Sequence, residues 1–342
     1  MPSPIGYSYS SNVDLTGNAQ IDSLLFGTKW MNNPLNHTGA ITSLTYSFLS
    51  IGQSSFARNY SSNNEFLKSF ELTDVQKTAV QSALSAWSSV ANVKFIQVTE
   101  TSSNVGDLRF GGYSNMPDGT VAWAYLPDDT PRAGDVWIGP ETDSLDPSKG
   151  SYDYLTFVHE IGHALGLKHP FSIGIGNFNT LPYALDDVRY TVMSYNDGYA
   201  FQPTTPMMLD IAAMQTIYGA NTQWQTGNNT YSWAPDQSVF ETIWDAGGND
   251  TIDASNQNTA VILNLNEGQF SQIGKAFLKY DNMTMFNQGL AIAYGTQIEN
   301  AVGSAQNDVL IGNALANVLD GRGGADTMNG GAGNDTYVVD NI

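Results

Sequence analysis

The sequence predicts two domains: an α+β domain over residues 1–219, and an all-β domain of parallel strands over residues 220–342. Three observations support this division. Strand-like segments are mixed with amphipathic helical segments up to Gly219, helical periodicity fades after that residue, and a nine-residue repeat rich in Gly, Asn and Asp follows. A chain of 342 residues is long enough to bury two cores.

The strands of the first domain are predicted from short runs of aromatic and β-branched residues that turn residues bound on both sides. Five segments have this character: Leu44–Leu49, Asn92–Val98, Asp107–Gly112, Thr120–Pro127 and Asp135–Gly139. Strands of this length need helices or a second sheet to cover them, and the intervening sequence supplies helices.

Three helices are predicted in the same domain. Thr73 and Gln76 form a capping-box pattern at the start of the first helix. Its apolar residues share one face, and they are Val75, Ala79, Ala83, Leu84, Trp87 and Ala91. The second helix is expected over Tyr152–Leu165, and the third over Met207–Tyr218 with Gly219 as its C-terminal cap.

Acidic side chains far outnumber basic ones: 33 Asp and Glu against 13 Lys and Arg give a formal net charge of −20. This charge argues against a nucleic-acid partner. Calcium binding would account for acidic residues among glycines, and solubility alone is the alternative explanation. The absence of cysteine excludes disulfides, thiolate metal ligands and a cysteine nucleophile. No apolar run is long enough to cross a bilayer, so we expect no membrane partner.

The C-terminal repeat fits the pattern G-G-x-G-x-D-x-U-x, in which U is a large apolar residue. The segment Gly330–Val338 matches it at every position. Earlier copies begin at Gly303, Gly312 and Gly321, and a related fragment contains Asp250. If each copy forms half a turn, residues eighteen apart stack at the strand spacing of about 4.8 Å.

Stacked aspartates and exposed carbonyl oxygens are the hard ligands that calcium prefers. We expect Asp308 to lie over Asp326. We expect Asn317 to lie over Asp335 in a weaker site, because Asn317 carries no charge. The predicted calcium ligands are Asp250, Gly303, Ala305, Asp308, Gly312, Asn317, Gly321, Gly323, Asp326, Gly330, Ala332 and Asp335. A metal-free β-solenoid or a glycine-rich loop is the alternative.

Three of the four histidines lie within the segment HEIGHALGLKHP. On a helix, His159 and His163 are four residues apart and project from one face, so both can bind one Zn²⁺ at about 2.0–2.1 Å. Gly166 allows the chain to turn and bring His169 round as a third ligand. Glu160, beside the first ligand, is placed to contact a metal-bound water.

Three neutral imidazoles leave an open position for water, whose pKa falls towards about 7 on the metal. Glu160 would accept its proton and later pass it to the leaving amine. The reaction predicted from these residues is metal-assisted peptide hydrolysis. The fourth histidine, His37, is expected in a loop.

The extended motif H-E-x-x-H-x-x-G-x-x-H resembles that of the metzincin metalloproteases. Met193, in the segment TVMSYND, resembles the methionine of their turn beneath the zinc. Pro170 after the third histidine, together with the calcium-type repeats, is similar to the serralysin family. The resemblance implies a metzincin-like α+β catalytic domain followed by a parallel β-roll. It also implies that Tyr195 ligates the resting zinc and stabilises the transition state.

The resemblance implies one catalytic zinc, several structural calcium ions and protein or peptide substrates. It further implies a secreted, extracellular protein exported by type I secretion, and small protein inhibitors as partners. We expect a monomer. Family members continue through more strands to an export signal that we expect to be missing here, because the chain stops inside the repeat. The segment Phe171–Tyr190 is shorter than the family pattern, so cleavage specificity cannot be transferred.

Two other function classes would also carry a calcium-type repeat. A non-catalytic, calcium-dependent adhesin or surface module would carry an inactive protease-like domain, but the complete set of histidines, Glu160 and Tyr195 argues against it. A repeat-bearing lipase would need a G-x-S-x-G nucleophile elbow. The sequence contains none.

Overall fold

The computed structural model describes residues 8–32, 41–140 and 147–340, and the chain forms two compact units. The first comprises Met1–Asn196 with Ala212–Asn221, and the second comprises Asp197–Ile211 with Thr222–Ile342. Residues 197–211 therefore belong with the second unit although they precede the predicted boundary at residue 219. Among the described residues, no helix is both long and apolar enough to cross a membrane.

The described residues of the first unit contain one six-stranded mixed sheet, a separate two-stranded sheet and three complete α-helices. Its strands are β1 (Tyr9–Asn12), β2 (Thr28–Met31), β3 (Thr42–Phe48), β4 (Ser69–Phe70), β5 (Val93–Gln97), β6 (Leu108–Tyr113), β7 (Ala122–Ala124) and β8 (Val136–Ile138). Its helices are α1 (Ala19–Asp22), α2 (Asp74–Val90) and α3 (Tyr152–Ala164), with a short 3₁₀ helix at Glu65–Lys68. All five strands predicted for this domain are present.

The main sheet has the order β5-β3-β6-β8-β7, with β4 paired to β6. Strands β5, β3, β6 and β8 are parallel, whereas β7 runs antiparallel to β8 at the edge. Parallel neighbours need crossover connections, and α2 provides the one between β3 and β5. The arrangement leaves β7 as a short antiparallel edge strand.

Helix α2 begins with the predicted capping box. The Thr73 hydroxyl accepts a hydrogen bond from the Gln76 backbone N–H at 3.2 Å, and Gln76 Oε1 accepts one from the Thr73 N–H at 2.9 Å. The predicted apolar face is buried from Ala79 onward. The prediction is wrong for Val75, which is 51% exposed, because the capping side chain of Gln76 occupies the inward position in this first turn.

Helix α3 is buried along almost its whole length, from Tyr154 to Ala164. It begins after Ser151, whose side chain accepts a hydrogen bond from the Tyr154 N–H. Trp87 of α2 donates a hydrogen bond to the Val158 carbonyl at 3.0 Å. A helix covered on all sides is held rigidly, so it fixes the side chains that project from it.

Helix α4 (Met208–Tyr218) ends at Gly219, which has a φ of +83° as expected of a C-terminal cap. The strands that follow are β9 (Thr230–Tyr231), β10 (Phe240–Ile243), β11 (Thr251–Asp253), β12 (Ile262–Asn264), β13 (Phe270–Ser271), β14 (Phe277–Lys279), β15 (Thr284–Phe286), β16 (Gly289–Ile292), β17 (Asn300–Val302), β18 (Val309–Ile311), β19 (Val318–Asp320), β20 (Thr327–Asn329) and β21 (Thr336–Val338).

The repeat strands form two parallel sheets, with orders β21-β19-β17-β11-β9 and β12-β18-β20. Leu310 pairs with Met328, and Leu319 pairs with Tyr337, so residues eighteen apart stack as predicted. Leu310 and Leu319 are fully buried in one core. Strands β13 to β16 add antiparallel pairs to this otherwise parallel architecture.

Candidate metal centre

Three imidazoles converge at the end of α3. The Nε2 atom of His169 lies 3.0 Å from that of His163 and 3.2 Å from that of His159. Ligands on a tetrahedral metal with bonds of 2.0–2.1 Å are separated by roughly 3.3 Å, so the spacing fits Zn²⁺. Among the described residues, this is the one group of three or more potential ligands with atoms within 4.8 Å of one another. The three histidines can hold a metal ion.

Backbone carbonyls orient two of these rings. His159 Nδ1 donates to the Val192 carbonyl at 2.7 Å, and His163 Nδ1 donates to the Leu167 carbonyl at 2.8 Å. A proton on Nδ1 leaves Nε2 as the lone-pair atom that faces the common centre. Burial lowers the pKa of His159 to about 4 and that of His169 to about 3, which keeps both rings neutral and able to bind a cation.

Gly166 makes the turn between the second and third histidines. Its φ is +111°, and a Cβ there would lie 2.4 Å from the Thr28 carbonyl oxygen, so only glycine fits. Beyond the turn, Pro170 is buried and its carbonyl accepts a hydrogen bond from the Leu181 N–H at 2.9 Å. These contacts direct the chain so that His169 faces the helix.

Glu160 lines the same cleft as His163 and His169. Its carboxylate accepts a hydrogen bond from the Ala124 N–H of β7, and burial raises its pKa to about 8. Its Oε2 atom is buried and has no hydrogen-bond partner among the described residues. The cleft has a volume of about 270 Å³, and residues 122–124 of β7 form part of its wall. One carboxylate oxygen is thus tied to the edge strand while the other is available for chemistry.

Met193 lies directly beneath the helix that carries the ligands. It is fully buried, and a Cβ added at Gly162 would approach its sulfur to 2.7 Å. The same turn provides the Val192 carbonyl that orients His159. The Met193 side chain therefore supports the ligand-bearing helix from below, and the backbone of the same turn orients His159.

Tyr195 follows this turn and is 63% exposed. Its ring centroid is 4.5 Å from that of His169 and 5.8 Å from that of His159. Partial burial raises the pKa of its phenol, and the charge of Glu160 adds to the effect. The phenol is neutral at pH 7 and lies against two of the potential ligands.

Sequence reasoning missed Lys168, a buried lysine beside the third histidine. Its Nζ donates hydrogen bonds to the carbonyls of Ser23, Ser172 and Asn179, the last two at 2.7 and 2.9 Å. Burial lowers its pKa to about 8, so the ammonium remains largely charged at pH 7. Lys168 links the N-terminal segment to the loop that follows His169. A lysine at this position of the motif looks like a surface residue, so no pattern in the sequence indicates its burial.

Replacing Lys168 with methionine is expected to lower the free energy of unfolding by about 2–4 kcal/mol, because three backbone carbonyls lose a charged donor. Urea unfolding followed by circular dichroism measures this change. Lys94→Met, at an exposed lysine of β5, is the matched control and should change stability by less than about 0.5 kcal/mol. Equal stabilities of the two variants would contradict a structural role for the Lys168 ammonium.

In the repeats, the first glycine of each copy lies against the sixth-position side chain of that copy. A Cβ added at Gly303, Gly312, Gly321 or Gly330 would lie 2.1–2.6 Å from an oxygen of Asp308, Asn317, Asp326 or Asp335, respectively. None of these four glycines has a positive φ. They are therefore needed for space, and the left-handed conformations expected of the repeat occur at other positions, including Gly331 and Gly333.

The predicted stacking of the sixth positions is visible in backbone contacts. The Asp308 N–H donates to Asp326 Oδ1 at 2.9 Å, and the Asn317 N–H donates to Asp335 Oδ1 at 3.0 Å. Of the other predicted calcium ligands, Gly323 lies beside Ala305 of the preceding turn. Ala332 occupies the equivalent position in the last copy.

Asp250 lies among acidic residues that sequence reasoning missed. Its N–H donates to Glu299 Oε2 at 2.8 Å, and its Oδ2 is buried without a hydrogen-bond partner in the described part of the chain. Burial raises its pKa to about 6, and the charges of Asp245 and Glu299 contribute. An orphaned carboxylate oxygen beside other carboxylates suits a hard cation completed by backbone carbonyls. Asp245 stands in the same segment, WDAGGNDTID, and could have been found there.

Comparison with known proteins gives the same picture. The family model described as Matrixin matches residues 59–175, and that described as Peptidase M10 serralysin C terminal matches residues 208–342. Serralysin B of Dickeya chrysanthemi is 34% identical over 314 residues, which cover 83% of this chain and 61% of that protein. Metalloprotease AprA of Pseudomonas entomophila (strain L48) is 36% identical over 318 residues, with the same two coverages.

Serralysin of Proteus mirabilis is 33% identical over 279 residues, 70% of this chain and 54% of that protein. The chain thus spans about three fifths of the length of the first two relatives. Four features together define a metzincin-type domain. They are the mixed sheet, the buried helix with two histidines, the third histidine after a glycine turn, and the methionine turn beneath them. With the parallel β domain that follows, the chain belongs to the serralysin family of metzincins.

Proposed function

We propose that this chain is a secreted zinc endopeptidase that hydrolyses peptide bonds of extracellular proteins and is stabilised by calcium. The observation that carries the proposal is the position of His169 Nε2, 3.0 Å from His163 Nε2 and 3.2 Å from His159 Nε2. Glu160 lines the same cleft as His163 and His169, and its Oε2 has no hydrogen-bond partner among the described residues. Residues 1–219 would form the catalytic domain, and residues 220–342 the calcium-binding domain.

His159, His163 and His169 would hold one Zn²⁺ ion. When bound, zinc would acidify a water molecule and polarise the carbonyl of the scissile bond. Glu160 would accept the proton at Oε2 and carry it to the departing amine, while its contact with the Ala124 N–H keeps the carboxyl beside the edge strand. Met193 would support the ligands from below without touching the substrate.

The substrate would bind as an extended peptide along β7. This strand is the antiparallel edge of the sheet, and residues 122–124 line the cleft beside Glu160. An added strand would take main-chain hydrogen bonds from edge groups of β7 other than the Ala124 N–H, which donates to Glu160, and would bring its carbonyl groups past the metal site. Protein segments that are already extended would therefore be the preferred substrates.

The test of this proposal is casein hydrolysis by zinc-loaded protein, with and without a zinc chelator. Activity that the chelator removes and added zinc restores is the expected result. The other function considered, an inactive adhesin or surface module, predicts no hydrolysis by protein that contains one zinc per chain.

Tyr195 would stabilise the charge that develops on the carbonyl oxygen in the transition state. Replacing it with phenylalanine is expected to lower kcat by roughly 10- to 100-fold and to change KM much less, because only the transition state uses the hydroxyl. Steady-state kinetics on a fluorogenic peptide separates the two parameters. A raised KM with unchanged kcat would instead indicate a role in substrate binding.

Calcium would bind between the turns of the repeat, through the sixth-position carboxylates and the carbonyl oxygens of the glycine-rich loops. The support is the stacking of Asp308 on Asp326, the glycines that leave room for each carboxylate, and the orphaned oxygen of Asp250. Absence of cysteine is consistent with a secreted protein that uses metal instead of disulfides. Type I secretion, a monomeric state and small protein inhibitors are proposed from family membership.

A further inference from the structure

Phe171 follows the third histidine by two residues, and its ring lies flat against the imidazole of His169. The ring centroids are 5.1 Å apart and the planes differ by 7°. The same ring lies 5.2 Å from that of Tyr195, at an angle of 58°. Phe171 is 45% exposed, so burial in a core does not explain this placement. One partly exposed side chain thus contacts both a potential metal ligand and the neighbouring tyrosine.

His169 needs such a contact more than the other two histidines do. Those two are oriented by hydrogen bonds from Nδ1 to backbone carbonyls. Among the described residues, the contacts of the His169 ring at hydrogen-bond distance involve only its Nε2 atom, which faces the other two imidazoles. A metal-binding histidine usually relies on an outer partner that fixes its ring plane. For His169, the flat face of Phe171 is the restraint in that position.

Tyr195 is also restrained mainly by rings. Its hydroxyl makes no hydrogen bond among the residues described, and the side chain is 63% exposed. Its ring centroid lies 4.5 Å from that of His169, 5.2 Å from that of Phe171 and 5.8 Å from that of His159. Removing Phe171 would take away one of the three ring contacts of Tyr195 and leave its side chain with more accessible rotamers.

The backbone around Phe171 is held in place, so the ring is a fixed support. The Ser172 N–H donates to the His169 carbonyl at 3.0 Å and closes a turn. The Ser172 carbonyl in turn accepts a hydrogen bond from Lys168 Nζ at 2.7 Å. The Leu181 N–H anchors the chain on the other side through the carbonyl of residue 170 at 2.9 Å.

We infer that Phe171 is a positioning residue that fixes the ring plane of His169 and restricts the rotation of Tyr195. The inference rests on the proposed function for the roles of zinc and Tyr195. It adds a residue that the motif itself does not contain, in the segment where this chain differs from the family pattern.

The first experiment measures the zinc dissociation constant by competition with a chromophoric chelator. Phe171→Ala and Phe171→Leu are expected to weaken zinc binding about tenfold, because neither offers a flat face to the imidazole. Phe171→Tyr should bind zinc like the wild type. Phe178→Ala, at a 77% exposed phenylalanine of the same loop, is the matched control and should leave zinc binding unchanged. Circular dichroism melting verifies folding, and Phe171→Leu keeps the side-chain bulk if the alanine variant is unstable.

The second experiment measures kinetics at saturating zinc. Phe171→Ala is expected to lower kcat by about two- to tenfold, the worth of one aromatic pair, with little change in KM. In a Tyr195→Phe background the same substitution should cost less, because the hydroxyl that Phe171 helps to place is already gone.

Wild-type zinc affinity in both Phe171→Ala and Phe171→Leu would overturn the inference, as would equal weakening by Phe178→Ala. The zinc measurement is independent of catalysis. If the wild type binds zinc but hydrolyses no peptide, the proposed function fails, while weaker zinc binding by the Phe171 variants still supports the positioning of His169. If the wild type is active and the Phe171 variants match it in both experiments, only the inference fails.

Discussion

Replacing Glu160 with glutamine is expected to lower kcat by about 10²- to 10⁴-fold while one zinc remains bound per chain. The amide is the same size as the carboxylate, and its oxygen can still accept the hydrogen bond from the Ala124 N–H that holds the side chain beside β7. What the variant loses is a basic atom at the position of Oε2, the oxygen that has no hydrogen-bond partner among the described residues. The loss should therefore fall on proton transfer and not on the fold or on the three histidines.

Metal analysis and steady-state kinetics on the same preparation test this expectation. Asp153→Asn is a suitable control because it removes a carboxylate from the first turn of the same helix, away from the histidines. That variant should retain kcat within about twofold. Near-normal turnover by zinc-loaded Glu160→Gln would show that another group takes the proton.

Removal of calcium is expected to unfold the second unit at a lower temperature than the first. Acidic residues lie close together in the stacked turns: the backbone N–H of Asp308 donates to the carboxylate of Asp326 at 2.9 Å. A bound cation would offset the repulsion between such carboxylates. A bound ion at about 100 times its dissociation constant contributes about 2.7 kcal/mol per site, so several sites can decide whether a polar domain of this kind folds. The effect should grow with the number of sites filled.

Circular dichroism melting during titration with a calcium chelator, in the presence of excess zinc, follows this effect. Calcium should restore the original transition, and magnesium should not, since Mg²⁺ keeps its water and demands a tighter octahedral site. Asp326→Ala should raise the calcium concentration needed, whereas Asp236→Ala, at an exposed aspartate outside the repeats, should not. A single transition that the chelator leaves unchanged would contradict the calcium proposal.

Much of the architecture is readable from local sequence. The capping box of Thr73 and Gln76, the positive-φ glycine after α4 and the spacing of His159 and His163 all act within a few residues, where residue type and backbone geometry are directly linked. The repeat is also local in this sense, because a period of nine fixes which residues stack eighteen apart. The pairing of β18 with β20 and of β19 with β21 confirms that register.

The surroundings of those residues come from distant parts of the chain. The carbonyls of Val192 and Leu167 orient two histidines, but a carbonyl has no residue-type signature in a sequence. Asp250 proved to lie beside Glu299, which is 49 positions away along the chain.

The chemistry available to the chain is therefore set by local sequence: three imidazoles and a carboxylate in one short motif, and an acidic nonapeptide repeat. How the imidazoles are held depends on contacts made in the folded chain. Backbone carbonyls orient two rings, Phe171 packs against the third, and the buried ammonium of Lys168 binds the carbonyls of the following loop. The physical reason is that ligand identity depends on local spacing along one helix and one turn. The orientation of each ligand depends on contacts between segments that folding alone brings together.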